Sequence, residues 1–387
     1  MTRQVAARIA GAFEHPRRKI PDRTVPQVLA EVAYGALADA GLSLSDVDGF
    51  FCSEVPGLGS IAMADYLGLT GLSYVDVTEG GGASYLMHVG HATAAVASGK
   101  CKVALVAMAG LPLSGVVNRG GGGAPAPEHP YESGYGVTVP AGYALAAQRH
   151  MYEFGTTSEQ LAEVKVAAAH HAQFNPNAKL RQPVTIEEVV NSPLISDPLH
   201  RLDCCITTDG GGALVIVSED VARTLPRRTV KILGHGETVK HSETGRIDLS
   251  YTGAAISGPR AFAEAGLTPR DVDYVSIYDS FTITVLMSLE DLGFCEKGKG
   301  GAFVSDGALR GPDGMLPFNT DGGGLCNNHP DFRGGMVRTI EAVRQLRGEA
   351  APEVQVPGCR IGLVQGHGGS IGFRTAAATL LLGAEDA

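Results

Sequence analysis

The sequence predicts a layered α/β fold built from two duplicated halves, and three observations carry that prediction. Ala36–Phe50 (ALADAGLSLSDVDGF) and Ala261–Val275 (AFAEAGLTPRDVDYV) repeat one pattern at an offset of 225 residues. Helical patterns alternate with short apolar runs along both halves, as layered α/β folds require. The chain has 387 residues, 44% of them hydrophobic, which is enough apolar material for a sizeable core.

In each copy of the repeat a helical pattern ends at a glycine, Gly41 or Gly266, as a C-terminal cap does. A Ser/Thr-initiated turn, Asp-Val-Asp and a short strand follow, Gly49–Ser53 in the first copy and Tyr274–Tyr278 in the second. The first half continues with a strand at Tyr74–Val77, an Ala-rich helix at Tyr85–Ala97 and a strand at Lys102–Met108. Gly212–Ser218 is another buried strand. In the second half a helix at Gly335–Leu346 precedes a strand at Arg360–Gln365 and the apolar run Thr375–Leu382. Leu111–Val139, with Gly120–Gly123 and several prolines, reads as a long lid or interface loop. Thr157–Leu194 is helical at both ends and broken at Asn175–Asn177. The predicted organisation is an N-terminal half, 1–225, carrying an insertion at about 110–200, and a C-terminal half, 226–387, with a site where the halves meet.

Composition excludes several classes. Net charge is −10 and pI about 5.6, which argues against a generally basic nucleic-acid surface. No apolar run approaches the roughly 18–20 residues that span a bilayer. Residues 1–23 carry charges and no continuous apolar core of a secretion signal, so a cytoplasmic location is expected. The seven cysteines include no Cys-x-x-Cys pair, and neither a disulfide framework nor a zinc site is expected. His88 and His91 share a helical face only loosely and lack a third ligand, so no metal is predicted. Cys204 and Cys205 are expected to be buried as small apolar residues, because neighbours on a strand face opposite sides.

Four segments could carry chemistry. Val77–Gly90 runs from a strand through Gly80–Gly82 into a helix, where backbone N–H groups favour negative charge and Ser84 is the only hydroxyl. Close helix packing explains the same glycines equally well. Tyr278–Thr282 (YDSFT) follows a strand end, where sites gather in α/β folds; a packed Tyr with a capping Asp279 is the alternative. Asn319–Gly335 concentrates polar groups around His329, whose place before a helical run favours the neutral ring. Gln365–Gly372 (QGHGGSIG) reads as a strand ending in a glycine turn that carries His367, a base or a solvent-facing loop histidine.

The order of these segments resembles the thiolase superfamily, in particular the sterol-carrier-protein-type thiolases and their lipid-transfer-protein-like relatives. The repeat, LDCCITTDGGGALVIVS at Leu202–Ser218, YDSFT, NNHP at Asn327–Pro330 and QGHGG at Gln365–Gly369 carry the resemblance from Val5 to Leu382. It implies a five-layered α-β-α-β-α fold, a dimer, and action on acyl-CoA thioesters with no cofactor beyond the coenzyme A of the substrate.

Four departures from the thiolase pattern set the functional expectation. EGGGA at Glu79–Ala83 stands where a thiolase carries its acyl-accepting cysteine, so ping-pong transfer lacks its carrier. Tyr278 replaces an Asn or His, and Gly366–Gly369, with His367, replaces the second cysteine. His329 matches the thiolase Gly-His-Pro histidine, with Asn328 in place of the Gly. The steroid side-chain aldolases among the relatives share the Tyr-Asp and the glycine run, but carry a second Tyr after the Gly-Gly turn where this chain has His329. By resemblance they cleave β-hydroxyacyl-CoA with the help of a small zinc-ribbon/OB-fold accessory protein.

The expected function is therefore a retro-aldol lyase acting on a bulky, steroid-like β-hydroxyacyl-CoA. Tyr278, Asp279, His329 and His367 are the candidate catalytic groups. Gly81, Gly82, Ser84, Asn328 and Gly369 are the candidate substrate or oxyanion contacts. Tyr278 or His367 would be the base, and His329 would stabilise the enolate oxygen. The alternatives are an acyltransferase with a displaced nucleophile such as Cys326, and a non-catalytic CoA-binding scaffold.

Overall fold

The repeat builds the same corner twice. Ser43 and Asp46 form a capping box in the first copy, Thr268 and Asp271 in the second. Gly41 and Gly266 both adopt the left-handed conformation that ends a helix at low cost, at φ 73° and 69°. The second aspartate of each Asp-Val-Asp reaches sideways to the next strand of the sheet. Asp48 accepts from the amides of Lys102 and Val103, and Asp273 from those of Arg360 and Ile361. One polar side chain thus registers two parallel strands in each copy.

A computed structural model describes residues 7–53, 59–115, 129–136, 138–240, 248–330, 334–369 and 375–387. The first elements are β1 (Ala7–Glu14), α1 (Val25–Ala40), β2 (Gly49–Phe51), α2 (Gly59–Leu67), β3 (Tyr74–Asp76), α3 (Ser84–Ala97) and β4 (Val103–Gly110). A mainly helical stretch follows: α4 (His129–Glu132), α5 (Val139–Phe154), α6 (Ser158–Ala172) and α7 (Ile186–Val190), then a hairpin of β5 (Leu194–Ser196) and β6 (Leu199–His200). Next come β7 (Gly210–Ser218), α8 (Glu219–Ala222), β8 (Val230–Lys240), α9 (Ala254–Ala265), β9 (Tyr274–Ile277) and α10 (Thr282–Asp291). The chain closes with α11 (Gly300–Val304), α12 (Gly335–Arg347), β10 (Ile361–Gly369) and β11 (Thr375–Gly383). Much of the expected loop Leu111–Val139, including Gly120–Gly123, lies outside the described residues.

Nine strands pair in the order β3-β2-β4-β7-β1-β8-β11-β10-β9, a mixed α/β sheet. Its two parts meet at β1 and β8, which share only the pairs Arg8–Lys231 and Ile9–Val230. α1 and α2 bury their apolar faces on one side of the first part. α9 and α10 cover one side of the second part, with α6 packed beside them. α3 and α12 contribute to a third core, which touches strands of both parts. α1 begins at a Thr24 capping box followed by Pro26 in its first turn, and α6 and α7 begin at capping boxes on Thr157 and Thr185.

Two local expectations are corrected. β10 runs on through Gly366–Gly369, where the sequence predicts a turn. Gly366 and Gly368 remain extended, with the α3 entry turn packed directly on them: a Cβ at Gly368 would collide with the Gly80 carbonyl, and one at Gly366 would lie 3.1 Å from the Gly82 carbonyl. Cys204 and Cys205 are only partly buried and do not sit within a regular strand. Cys204 makes an isolated bridge to Phe281 and the Cys205 amide donates to the Ser280 carbonyl, so the alternation of a strand does not hold there.

Candidate active site

Tyr278 leaves the end of β9 with its amide bonded to the Gln365 carbonyl of β10 at 2.9 Å. Its phenol oxygen lies 2.7 Å from Nε2 of His329, and the two rings stand 5.3 Å apart between centroids. His329 follows a π-helical turn, Gly323–Asn327. Residues 51 positions apart in the chain thus meet because the turn folds back on the end of β9.

Glycines make room for this pair. A Cβ at Gly82 would lie 2.7 Å from Tyr278 Cζ and collide with the His367 carbonyl. A Cβ at Gly334 would lie 2.6 Å from Tyr278 Cε2, and one at Gly324 would lie 3.1 Å from His329 Cδ2. The entry turn of α3 therefore touches the Tyr–His pair through bare backbone, with no space for a side chain at Gly82. Gly81, at φ 59°, packs equally closely on Gly368.

Asp279, next to Tyr278, is buried. Its carboxylate accepts from the amides of Gly324 (2.7 Å) and Leu325 (3.1 Å), which pins the π turn to the end of β9. Burial pushes its pKa up, against the pull of Arg338. The His329 amide donates to Thr208 Oγ1 at 2.8 Å, and that hydroxyl donates to Asn328 Oδ1 at 2.6 Å. Asn328 Nδ2 in turn donates to Glu14 Oε1, so both ends of its side chain are bonded to protein partners. Ser84 is likewise bonded within its own turn, to the Gly80 amide, the Gly81 carbonyl and Glu79.

Burial, reinforced by the Arg338 charge, lowers the His329 pKa to about 4, so the ring is neutral at pH 7. Sequence reasoning offered the helix dipole as the cause; desolvation dominates instead. His367 sits on the β10 face opposite Gly366 and Gly368. Its Nε2 lies 2.9 Å from Ser288 Oγ on α10, and burial lowers its pKa to about 3. Gly369 accepts from the Tyr143 hydroxyl at 3.3 Å, and Tyr143 stacks on Phe281 with centroids 4.2 Å apart.

Thr208, Gly334, Tyr143 and Arg338 are the residues that sequence reasoning missed. Thr208 lies within the LDCCITTDGGG stretch and Gly334 within Asn319–Gly335, but neither segment's pattern singles them out. Cys326, three residues before His329, is buried with its thiol accepting from Lys165. His91 is held between Asp76 and Glu237. Among the described residues no cluster of three His, Cys, Asp or Glu side chains is placed to hold a metal. No helix among them is long and apolar enough to cross a membrane.

A mixed α/β sheet assembled from a repeated helix–turn–strand unit is the architecture of a thiolase-like protein. Comparison with known proteins agrees. The thiolase C-terminal domain-like family matches residues 236–384. An acetyl-CoA acetyltransferase of Methanothermobacter thermautotrophicus is 36% identical over 91% of this chain and 93% of its own length. A steroid side-chain-cleaving aldolase of Thermomonospora curvata is 36% identical over 89% and 90%. The solved Ltp2-ChsH2(DUF35) aldolase superposes with a TM-score of 0.88 at 36% identity, covering 98% of each chain. The chain belongs to the thiolase superfamily, in the group of sterol-carrier-protein-type thiolases and steroid-degradation aldolases.

Proposed function

We propose that this chain is a carbon–carbon lyase that cleaves a β-hydroxyacyl-CoA thioester with a steroid-like or otherwise bulky acyl chain. The observation that carries the proposal is the 2.7 Å contact of Tyr278 with a neutral His329, against a glycine turn that leaves no room for a nucleophile. By sequence identity an acetyltransferase and an aldolase are equally similar to the chain, while the solved structure that superposes over 98% of it at 36% identity is an aldolase. The site favours the aldolase.

An isolated phenol, with a pKa near 10, is a poor base at neutral pH. Neutral His329 takes the phenol proton only transiently: its lowered pKa makes the imidazolium a strong acid that gives the proton back as the enolate forms. The substrate β-hydroxyl proton passes to Tyr278 Oη as the phenol proton passes to His329 Nε2. The freed electron pair forms the carbonyl of a ketone or aldehyde, and the Cα–Cβ bond breaks. Its electrons move onto Cα and the thioester oxygen as an enolate, which the imidazolium stabilises. Return of the proton through Tyr278 to Cα gives the shortened acyl-CoA. Asp279 and Thr208 position the His329 loop, and the backbone at Gly81, Gly82 and Gly369 lines the crevice. His367, bonded to Ser288, is assigned a supporting role.

The same reading includes five layers, with α3 and α12 between two half-sheets, and halves divided near residue 225. It includes a homodimer formed at the edge of β3, where Val75 and Val77 are exposed and the only pairing among the described residues is to β2. A small zinc-ribbon/OB-fold accessory protein is proposed from the resemblance to the steroid side-chain aldolases, and a cytoplasmic location completes the reading. The test is substitution: Tyr278→Phe and His329→Ala should each lower lyase turnover by about a hundredfold or more. Full turnover in both would overturn the assignment.

A further inference from the structure

A cavity of about 750 Å3 opens between α6, α7 and the segment 201–206. That size suits a small organic ligand. Tyr278, His329, Gly82 and Gly334 do not line it. Its floor is formed by Lys165 and Cys326, its walls by Val184, Leu202 and Ile206, and exposed Glu188 and Arg201 stand at its rim.

Lys165 is 2% exposed. Its ammonium donates to the Leu325 carbonyl at 2.8 Å and to Cys326 Sγ at 3.1 Å. An ammonium has three N–H donors, so one remains. Among the described residues no carboxylate lies within 4 Å of it; Asp203 acts on it only from farther away. A desolvated cation without a close counter-charge is costly unless something completes it. The apolar walls above it define the rest of the occupant.

We propose that this cavity binds an amphipathic monocarboxylate, with its head on Lys165 and its tail along Val184, Leu202 and Ile206. One remaining donor and one charge match a carboxylate better than a phosphate, which needs several donors. Occupancy bears on the catalytic crevice. Leu325 and Cys326 belong to the turn that delivers His329, and the Cys205 amide holds the Ser280 carbonyl two residues after Tyr278.

The test is calorimetric titration of the full chain with dodecanoate and with dodecan-1-ol, each below its aggregation threshold. It reads binding alone, so its failure leaves the lyase reading untouched. The wild type should bind one dodecanoate per chain, about tenfold or more tighter than the alcohol. Saturating free CoA should leave that affinity unchanged. Lys165→Met should abolish the preference for the acid while retaining the alcohol. Ile206→Trp, which keeps the lysine and narrows the cavity along the path of the tail, should weaken both ligands about tenfold or more and decides the matter if Lys165→Met does not fold. No dodecanoate binding, equal affinity for acid and alcohol, displacement by CoA, an unchanged preference in Lys165→Met or full binding by Ile206→Trp would each overturn the proposal.

Discussion

Arg338 and Asp321 form a two-pronged ion pair, Nη1 to Oδ1 at 2.7 Å and Nη2 to Oδ2 at 2.8 Å, with both side chains 1% exposed. Asp321 also accepts from Asn327 and from the Gly323 amide, so the pair ties α12 to the turn that precedes His329. Arg338→Met leaves that carboxylate uncompensated and should cost about 3–5 kcal/mol of unfolding free energy, read by chemical denaturation. Adding Asp321→Asn should restore part of the loss. A cost below about 1 kcal/mol would show that the pair does not hold the turn.

The Arg338 charge, together with burial, also sets a pH dependence. The His329 pKa is lowered to about 4, below the free imidazole value near 6.5. The folded state therefore disfavours the protonated ring. Protonation costs nothing above about pH 6.5, and the penalty grows as pH falls from there through about 4. The acid limb of kcat/KM should lie near pH 4, with activity level between about pH 5.5 and 7.5. Imidazole resonances should show His329 neutral at pH 6. A midpoint near 6.5 by either measurement would contradict this environment.

Restoring a nucleophile at the glycine turn should fail. Gly82→Cys places a Cβ against the His367 carbonyl and 2.7 Å from the Tyr278 ring. Displacement of Tyr278 by about 1 Å should reduce lyase turnover roughly a hundredfold. Incubation with acyl-CoA followed by intact-protein mass spectrometry should reveal no acyl-enzyme. A stable acyl adduct with thiolase turnover would show that the crevice accommodates the older chemistry.

Thr208→Val keeps the shape of the side chain and removes the hydroxyl that the His329 amide and Asn328 share. Two buried polar groups lose their partner, at a cost of about 1–3 kcal/mol each. The pathway of that loss should be visible in kinetics as a fall in kcat with KM little changed. Thr208→Ser should recover most of it. An unchanged kcat would remove Thr208 from the positioning of His329.

The parts of the fold written in local sequence were legible. The repeat announced itself because Gly41 and Gly266 end helices and each Asp-Val-Asp serves both a cap and a neighbouring strand. Tyr278 and His329 were legible as separate candidates, but their contact depends on a π turn that sequence periodicity does not encode. The extension of β10 was misread because glycine runs signal turns, whereas here they admit the α3 entry turn against a strand. Thr208 and Arg338 act only through tertiary contacts. The cavity above Lys165 needed two helices and an irregular segment to come together, and each alone looks ordinary.

The most direct measurement is mass spectrometry of the products formed from paired β-hydroxyacyl-CoA and β-ketoacyl-CoA thioesters, with and without free CoA and with any co-purifying small subunit. The account predicts an aldehyde or ketone and a shortened acyl-CoA from the β-hydroxy substrate, with no requirement for free CoA. Cleavage confined to the β-keto substrate, and only with free CoA, would contradict it and return the protein to thiolysis.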